Sequence, residues 1–123
     1  MNYDKHLAVK SLKPTSEWSW GGFNYADLNW ISSDTKPTES EIDAEVTRLT
    51  NAEPLRLLRI ERDKRLTDCD WIITMHKELG TNIPAAWKTY RQSLRDLPAS
   101  ASPSLDSYGN LDLTSVTWPT EPS

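Results

Sequence analysis

Hydrophobic residues recur at roughly helical spacing at the start of the chain. Tyr3 and Leu7 begin a loose apolar stripe, which Leu12 closes. This spacing predicts a first helix over residues 3–12. Pro14 ends the helix, because a proline pushes the residue before it out of the helical region of backbone conformation.

Apolar and polar side chains then alternate around three tryptophans, which is the period of a strand with one buried face. Trp18 and Trp20 fall on one side of the first strand, and Trp30 falls on the same side of the returning strand. The glycine pair between the strands can supply the positive φ of a tight hairpin turn. Because a lone hairpin is marginal in water, its tryptophan face needs cover. We favour cover by the chain's own helices over cover by a partner.

The next segment opens with a capping box. Thr38 can accept a hydrogen bond from the amide of Glu41, and the Glu41 side chain can reach back to Thr38. Apolar residues at helical spacing follow from Ile42, so a helix begins here. Pro54 leaves two alternatives open, a bend in one long helix or the start of a second helix. We favour a break or a kink.

The stretch from Leu55 to Gly80 returns to helical spacing. Leucines recur along one side, and arginines at every third position drift around the helix surface. Gly80 is placed to end the helix in the left-handed conformation. We expect Cys69 to be a buried helix residue. We also expect Trp71 and the two isoleucines after it to be buried.

A last helix is predicted to end at Pro98. Thr81 or Asn82 can cap its start, with a proline in its first turn. Trp87 and Tyr90 lie on its apolar face, opposite a row of basic and polar residues.

Composition shifts after the last helix to a polar, proline-containing tail. Such a segment is disordered in isolation, so an ordered tail must dock on its own domain or on a neighbour. The predicted fold is α+β, a small and mostly helical domain with an N-terminal β-hairpin, a helical pair and an extended C-terminal arm. The predicted boundaries are residues 1–36 for the first helix and hairpin, 37–98 for the helical region and 99–123 for the arm.

The charge pattern argues against a dominant role in nucleic-acid binding. The 123 residues carry 14 Lys and Arg against 18 Asp and Glu, a formal net charge of −4. The middle of the chain is mildly basic and both ends are acidic. We favour the interpretation that these charges form a solvated surface of paired side chains. The alternatives are that the acidic ends fold back on the middle of the chain, or that the middle binds an acidic partner. Six tryptophans fit a small domain that keeps apolar surface for a partner.

No group of residues suggests catalysis. His6 and His76 are far apart and form no ligand spacing with Cys69. Asp68 and Asp70 flank the cysteine and disfavour its thiolate. We therefore predict no enzyme, no cofactor and no metal site. A single cysteine permits no internal disulfide, and no stretch approaches the roughly 20 apolar residues of a membrane helix, so we expect a reducing compartment and no membrane contact.

Two phrases in the middle of the chain resemble the tail assembly chaperone domains of tailed bacteriophages. Residues 59–71, RIERDKRLTDCDW, match the pattern R-x-x-R-D-x-x-L-x-x-x-D-W, and residues 86–98, AWKTYRQSLRDLP, match A-W-x-x-Y-R-Q-x-L-R-D-L-P. The ending VTWPTEP at residues 116–122 is similar to the V-x-W-P-x-x-P ending of phage tail fibre assembly and tail chaperone proteins. The region from Tyr25 to Val46 looks like short proteins of marine and cyanobacterial phages. Between the two phrases, this chain has a lysine- and histidine-bearing loop where the family has an acidic or proline-bearing one.

The resemblance implies a non-enzymatic phage protein that binds a tail or tail-fibre protein and assists tail assembly. The alternative is a permanent virion component, such as a tail or fibre adaptor or a decoration subunit. A homo-oligomer is a further option, and a small regulator associated with nucleic acid is a weaker third hypothesis. The expected location is the host cytoplasm during assembly, or the virion tail.

Individual side chains are assigned to binding or to structure. Those expected to meet a partner are Trp18, Trp20, Trp30, Arg91, Arg95 and Trp118. Those expected to hold the fold are Thr38, Glu41, Arg62, Asp63, Trp71, Trp87, Tyr90 and Asp96. Either a pair between Arg62 and Asp96 or a pair between Asp63 and Arg95 would lock the helices. We favour these structural pairs over the alternative, in which the last two arginines of the region face the partner.

Overall fold

The computed structural model describes residues 3–122. Within them, helices make up most of the regular structure, and two antiparallel strands form one small sheet. The elements in chain order are α1 (Lys5–Leu12), β1 (Trp18–Trp20), β2 (Leu28–Trp30), α2 (Glu39–Asp68), α3 (Asp70–Leu79) and α4 (Ala85–Ser100). The prediction of an α+β, mostly helical fold with an N-terminal hairpin is confirmed.

The chain divides into two compact units, Met1–Glu53 and Pro54–Ser123. α2 passes through this boundary as one helix with Pro54 inside it. Of the two alternatives for this proline, a second helix that begins there is therefore wrong. A proline removes one backbone hydrogen bond, and the burial of Ile42 before it and Leu58 after it keeps both halves helical. The predicted three-part division of the chain stays a prediction.

In the first unit, a small core joins α1, the hairpin and the start of α2. The buried residues of this core are Ala8, Val9, Leu28 and Ile42. Asp4 caps α1, because its side chain accepts a hydrogen bond from the amide of Leu7 at 2.8 Å. The predicted first helix is confirmed, with its start moved to the residue after this cap.

The hairpin is confirmed in the predicted place. Trp18 lies opposite Trp30, and Trp20 lies opposite Leu28 in the antiparallel register. Directly opposed residues share a face of a sheet, so the three tryptophans lie on one face together with Leu28. That face packs against the core of the first unit.

The connection between the strands differs from the predicted tight turn. Neither Gly21 nor Gly22 has a positive φ. The chain instead passes through a 3₁₀ turn at Tyr25–Asp27, and the hydroxyl of Tyr25 donates to the carbonyl of Pro37 at 2.6 Å. Because this longer loop reverses the chain over more residues, it needs no left-handed backbone.

α2 begins at the predicted capping box. The amide of Glu41 donates to Oγ1 of Thr38 at 3.1 Å, and the Thr38 hydroxyl donates to the Glu41 carboxylate at 3.2 Å. The Glu41 side chain thus reaches back to Thr38 as predicted, through the hydroxyl. Glu39 and Glu41 also lie in the first turn, where the positive end of the helix dipole favours acidic side chains.

In the second unit, α2 and α3 are separated by a break at Cys69, which the sequence did not predict. The backbone of Cys69 has φ −110° and ψ 8°, outside the helical region. Cys69 is buried with Tyr90 and Leu94 of α4, which confirms its predicted burial. The partly buried residues packed around this cluster are Leu66, Trp87 and Trp118.

The loop from α3 to α4 was predicted correctly at one end only. Gly80 ends α3 with φ 68°, as expected of a left-handed glycine. Neither Thr81 nor Asn82 caps α4, which begins at Ala85 without a side-chain cap. Oγ1 of Thr81 lies instead 2.7 Å from Nδ1 of His76 in the last turns of α3.

α4 continues past its predicted end at Pro98, since a proline in the last turn removes only one backbone hydrogen bond. The arm that follows is folded around a turn. Leu105 and Leu111 form an antiparallel bridge across this turn, with Gly109 at φ 81°. Trp118 then packs against the buried cluster of α4. The arm therefore docks on the unit to which it belongs.

Candidate functional site

The tryptophan face of the hairpin is covered by its own unit. Trp18, Trp20 and Trp30 are half-buried and pack against the core formed with α1 and α2. The indole N–H of Trp20 donates to the carbonyl of Asn24 at 2.9 Å, and that of Trp30 donates to the carbonyl of Asp34 at 2.8 Å. These contacts agree with the favoured alternative of cover by the chain itself. A role of the three side chains in partner binding stays a prediction.

Arg91 joins α4 to the break between α2 and α3. Its guanidinium donates to the carbonyl of Leu66 at 3.0 Å and to Sγ of Cys69 at 3.0 Å, and it lies 2.9 Å from the carboxylate of Asp70. Burial lowers the pKa of Arg91, but the hydrogen bonds to Cys69 and Asp70 outweigh it, and the pKa is raised. Because these contacts occupy the guanidinium, Arg91 holds the fold of the second unit. Its expected contact with a partner stays a prediction.

The predicted ion pairs between α2 and α4 do not form within residues 3–122. Arg62 donates to the carboxylate of the adjacent Asp63 at 2.9 Å and to the carbonyl of Arg95 at 3.4 Å. On α4, the Gln92 side chain donates to Asp96 at 2.9 Å and accepts from Arg95 at 3.0 Å. The prediction of Arg62–Asp96 and Asp63–Arg95 pairs is wrong, because each side chain finds a nearer partner on its own helix.

An aromatic cluster anchors the C-terminal arm. Trp87 and Tyr90 form an edge-to-face pair, with ring centroids 5.8 Å apart and an angle of 86° between the rings. The indole N–H of Trp118 donates to the carbonyl of Leu113 at 3.1 Å, and the guanidinium of Arg65 lies 4.0 Å from the centre of the Trp118 ring. Burial raises the pKa of the Tyr90 hydroxyl. Trp118 is therefore an anchor of the arm, and its expected contact with a partner stays a prediction.

Trp71 is exposed, and the prediction that it is buried is wrong. Trp71 is 60% exposed and Leu79 is 66% exposed, with the half-buried Met75 between them on α3. Positions four apart lie on the same side of a helix, so these residues form a continuous apolar row that we call the α3 stripe. Because the helix breaks at Cys69, the positions that face the core along α2 cannot be extrapolated at helical spacing into α3. Ile72 is buried in place of Trp71.

A groove with a volume of about 630 Å³ lies between α3 and α4. Ile73 lines it on the α3 side, and Lys88, Arg91 and Arg95 line it on the α4 side, together with Gln92 and small hydroxyl side chains. We call this the basic groove. Among the described residues, no carboxylate lies within salt-bridge distance of Lys88 or Arg95.

The second unit therefore offers surfaces that suit contact with another protein. In the part of the chain that the structure describes, no three or more His, Cys, Asp or Glu residues gather in a way that could hold a metal ion. None of the described helices combines the length and the apolar character needed to span a membrane. The predicted absence of catalysis and of a cofactor still rests on the sequence.

The α3 stripe and the basic groove were not predicted as sites, although the sequence contains signals for both. Apolar residues at positions 71, 72, 73, 75 and 79 cover more of α3 than one buried face requires. Lys88, Arg91 and Arg95 recur at spacings of three and four, which places cations along one side of α4. Which side meets solvent could be known only from the packing.

Comparison with known protein families gives one match. The model of the family described as "Phage tail assembly chaperone protein" matches residues 55–123, which is more than half of the chain. The match includes the α3 stripe, the basic groove and the anchored arm. No curated protein and no solved structure matches the chain. At the level of the family, the resemblance of the sequence is confirmed, and the chain belongs to the phage tail assembly chaperone family.

Proposed function

We propose that this chain is a non-enzymatic assembly factor that binds a phage tail protein in the host cytoplasm and holds it until it enters the tail. Membership of the tail assembly chaperone family supports a role in tail assembly. We assign the binding surface from the exposure of Trp71. This tryptophan is 60% exposed and lies on a helix within the residues that the family model matches.

The α3 stripe suits protein binding for physical reasons. Burial of apolar surface drives most protein association. Tryptophan is among the residues most enriched where binding energy concentrates, because it covers a large area with few rotatable bonds. Trp71 and Leu79 leave most of their surface in water, so the fold of their own unit gains little from them. The hairpin tryptophans, by contrast, are already packed on their own core.

The alternative function, a permanent virion component, drew on the expectation that an ordered polar arm lies on a neighbouring subunit. Trp118 packs against the buried cluster of its own unit. The arm therefore gives that alternative no separate support. A tail-fibre protein as the specific client is a narrower form of the proposal.

The test is capture of the client from cells in which the encoding phage assembles. Tagged wild-type chain should retain a phage tail protein, and the Trp71→Ala variant should retain little of it while its melting temperature stays that of the wild type. Tyr108→Ala is the matched control, since Tyr108 is an exposed aromatic residue of the same unit outside the stripe. Equal capture by the wild type and Trp71→Ala would contradict the assigned surface, and no captured tail protein at all would contradict the function.

A further inference from the structure

We propose that the basic groove between α3 and α4 binds a short acidic segment of the client tail protein. The inference rests on the proposed function, which supplies the client. It adds an electrostatic contact to the apolar contact of the α3 stripe. The family match assigns no role to the surface that makes this second contact. The observation behind it is a concave site of about 630 Å³ whose two exposed cations, Lys88 and Arg95, have no carboxylate partner within residues 3–122.

Two of the three cations in the groove have no acidic partner among the described residues. Of its three cations, Arg91 has an acidic partner in Asp70 at 2.9 Å. Lys88 has no carboxylate within salt-bridge distance, and the Arg95 guanidinium has the neutral Gln92 amide at 3.0 Å. Both are exposed. A carboxylate ligand would therefore gain ion pairs without breaking existing ones.

The spacing of the cations suits an extended segment. Lys88 and Arg95 are seven positions apart, which places them two turns apart along one side of α4, about 10 Å at the rise of an α-helix. In a polyproline II segment, which has three residues per turn, acidic side chains three positions apart lie on the same side and are separated by about 9 Å. The guanidinium of Arg95 can hold a carboxylate with two parallel hydrogen bonds. Ile73 offers an apolar contact on the opposite wall.

An acidic protein segment fits the rest of the chain better than a nucleic acid does. Residues 51–98, which contain the groove, carry nine Lys and Arg against seven Asp and Glu, so a phosphate backbone that extends beyond the groove would meet a surface with little excess positive charge. A short peptide segment confined to the groove needs no wider basic surface. The groove also holds an apolar wall, Ile73, and presents no exposed aromatic platform on which bases could stack.

The groove and the α3 stripe can be tested separately. Ile73 and Trp71 are two positions apart on α3, about 200° around the helix, so they face nearly opposite directions. Substitutions of Lys88 and Arg95 therefore leave the stripe intact. Arg91 is left unchanged in the test because it holds the fold.

The experiment uses the full chain and a fluorescent peptide rich in Glu with interspersed Leu, and a second peptide with Gln at every Glu position. Fluorescence anisotropy measures the Kd for each. We expect the Glu peptide to bind the wild type and to bind Lys88→Glu/Arg95→Glu at least about tenfold more weakly, because two ion pairs become repulsive. Binding should also weaken between about 50 mM and about 200 mM NaCl. Arg59→Glu/Lys64→Glu, which reverses an exposed arginine and an exposed lysine of α2 outside the groove, is the charge-matched control and should bind like the wild type.

Any one of three results with the peptides would overturn the inference. These are no binding of the Glu peptide by the wild type, equal binding of the Glu and Gln peptides, and equal binding by the double variant. Tighter binding of a single-stranded oligonucleotide, lost in the double variant, would assign the groove to nucleic acid and also overturn it. Client capture is a separate readout. If the wild type captures no tail protein, the proposed function fails, whereas normal capture by the double variant contradicts the groove alone.

Discussion

The guanidinium of Arg91 lies 2.9 Å from the carboxylate of Asp70, across the junction of α4 and α3. The same guanidinium donates to the carbonyl of Leu66 at the end of α2. One side chain of α4 thus contacts both α2 and α3 at the point where α2 ends. This contact fixes the start of α3 and with it the direction in which Trp71 faces.

Arg91→Ala should lower the free energy of unfolding by about 1–3 kcal/mol, because the partly buried carbonyl of Leu66 loses its charged donor. Asp70→Asn should lower it by less than about 1 kcal/mol, since the Asp70 side chain is 59% exposed. Urea denaturation of the two variants and the wild type measures both values. Equal losses in the two variants would mean that the ion pair, and not the bond to the α2 carbonyl, is the main contribution.

Gly80→Ala should lower the free energy of unfolding by about 1–2 kcal/mol, because an L side chain is strained at φ 68°. Beyond the two adjoining residues, no atom lies within 4 Å of the added Cβ, so the effect comes from the backbone conformation. Gly21→Ala is the control, since that glycine also has open space and no positive φ. Urea denaturation should show no loss for Gly21→Ala. A similar loss in both variants would contradict the assignment to backbone strain.

Stability should fall in acid through Glu45 of the first unit. Hydrogen bonds from Arg48 hold the pKa of Glu45 below its ordinary value of 4.5, against the opposing effect of burial. A carboxyl group whose pKa is lower in the folded than in the unfolded chain stabilises the fold at pH values above its unfolded-state pKa. This stability is lost as the pH falls through its folded-state pKa. The difference in melting temperature between the wild type and Glu45→Gln should therefore shrink as the pH falls from about 5 towards about 3. A difference that stays constant over this range would contradict the role of Glu45.

Trp118→Ala should release the C-terminal arm. The substitution removes the packing on the α4 cluster and the ring over which Arg65 lies, so we expect a loss of about 1–3 kcal/mol in stability. Hydrogen exchange of the amides between residues 104 and 116 should speed up more than exchange in α4. Leu113→Ala, at a side chain that is 47% exposed, is the control and should leave exchange in the arm nearly unchanged. Unchanged exchange in Trp118→Ala would show that the arm is held by other contacts.

Features that depend on neighbouring residues were predictable from the sequence. The capping box at Thr38 and the left-handed Gly80 follow from local backbone chemistry, which acts before any tertiary contact. The shared face of the hairpin tryptophans follows from the period of a strand. These predictions are confirmed where the structure tests them.

Features that depend on packing were not predictable in the same way. The break at Cys69 has no proline or glycine to mark it, and it decides that Ile72 turns inward while Trp71 turns outward. The partners of Arg62 and Arg91 depend on which helix surfaces meet, so sequence spacing alone offered several carboxylates for each. Gly21 and Gly22 lack the predicted positive φ because the connection between the strands is longer than a tight turn.

The most direct test of the proposed function is quantitative mass spectrometry of two fractions from one infected culture, the cleared lysate and the purified mature particles. We expect the chain in the lysate in a complex with a phage tail protein, and absent from the particles. A fixed copy number in the particles, with no complex in the lysate, would contradict a transient assembly factor and assign the chain to the virion.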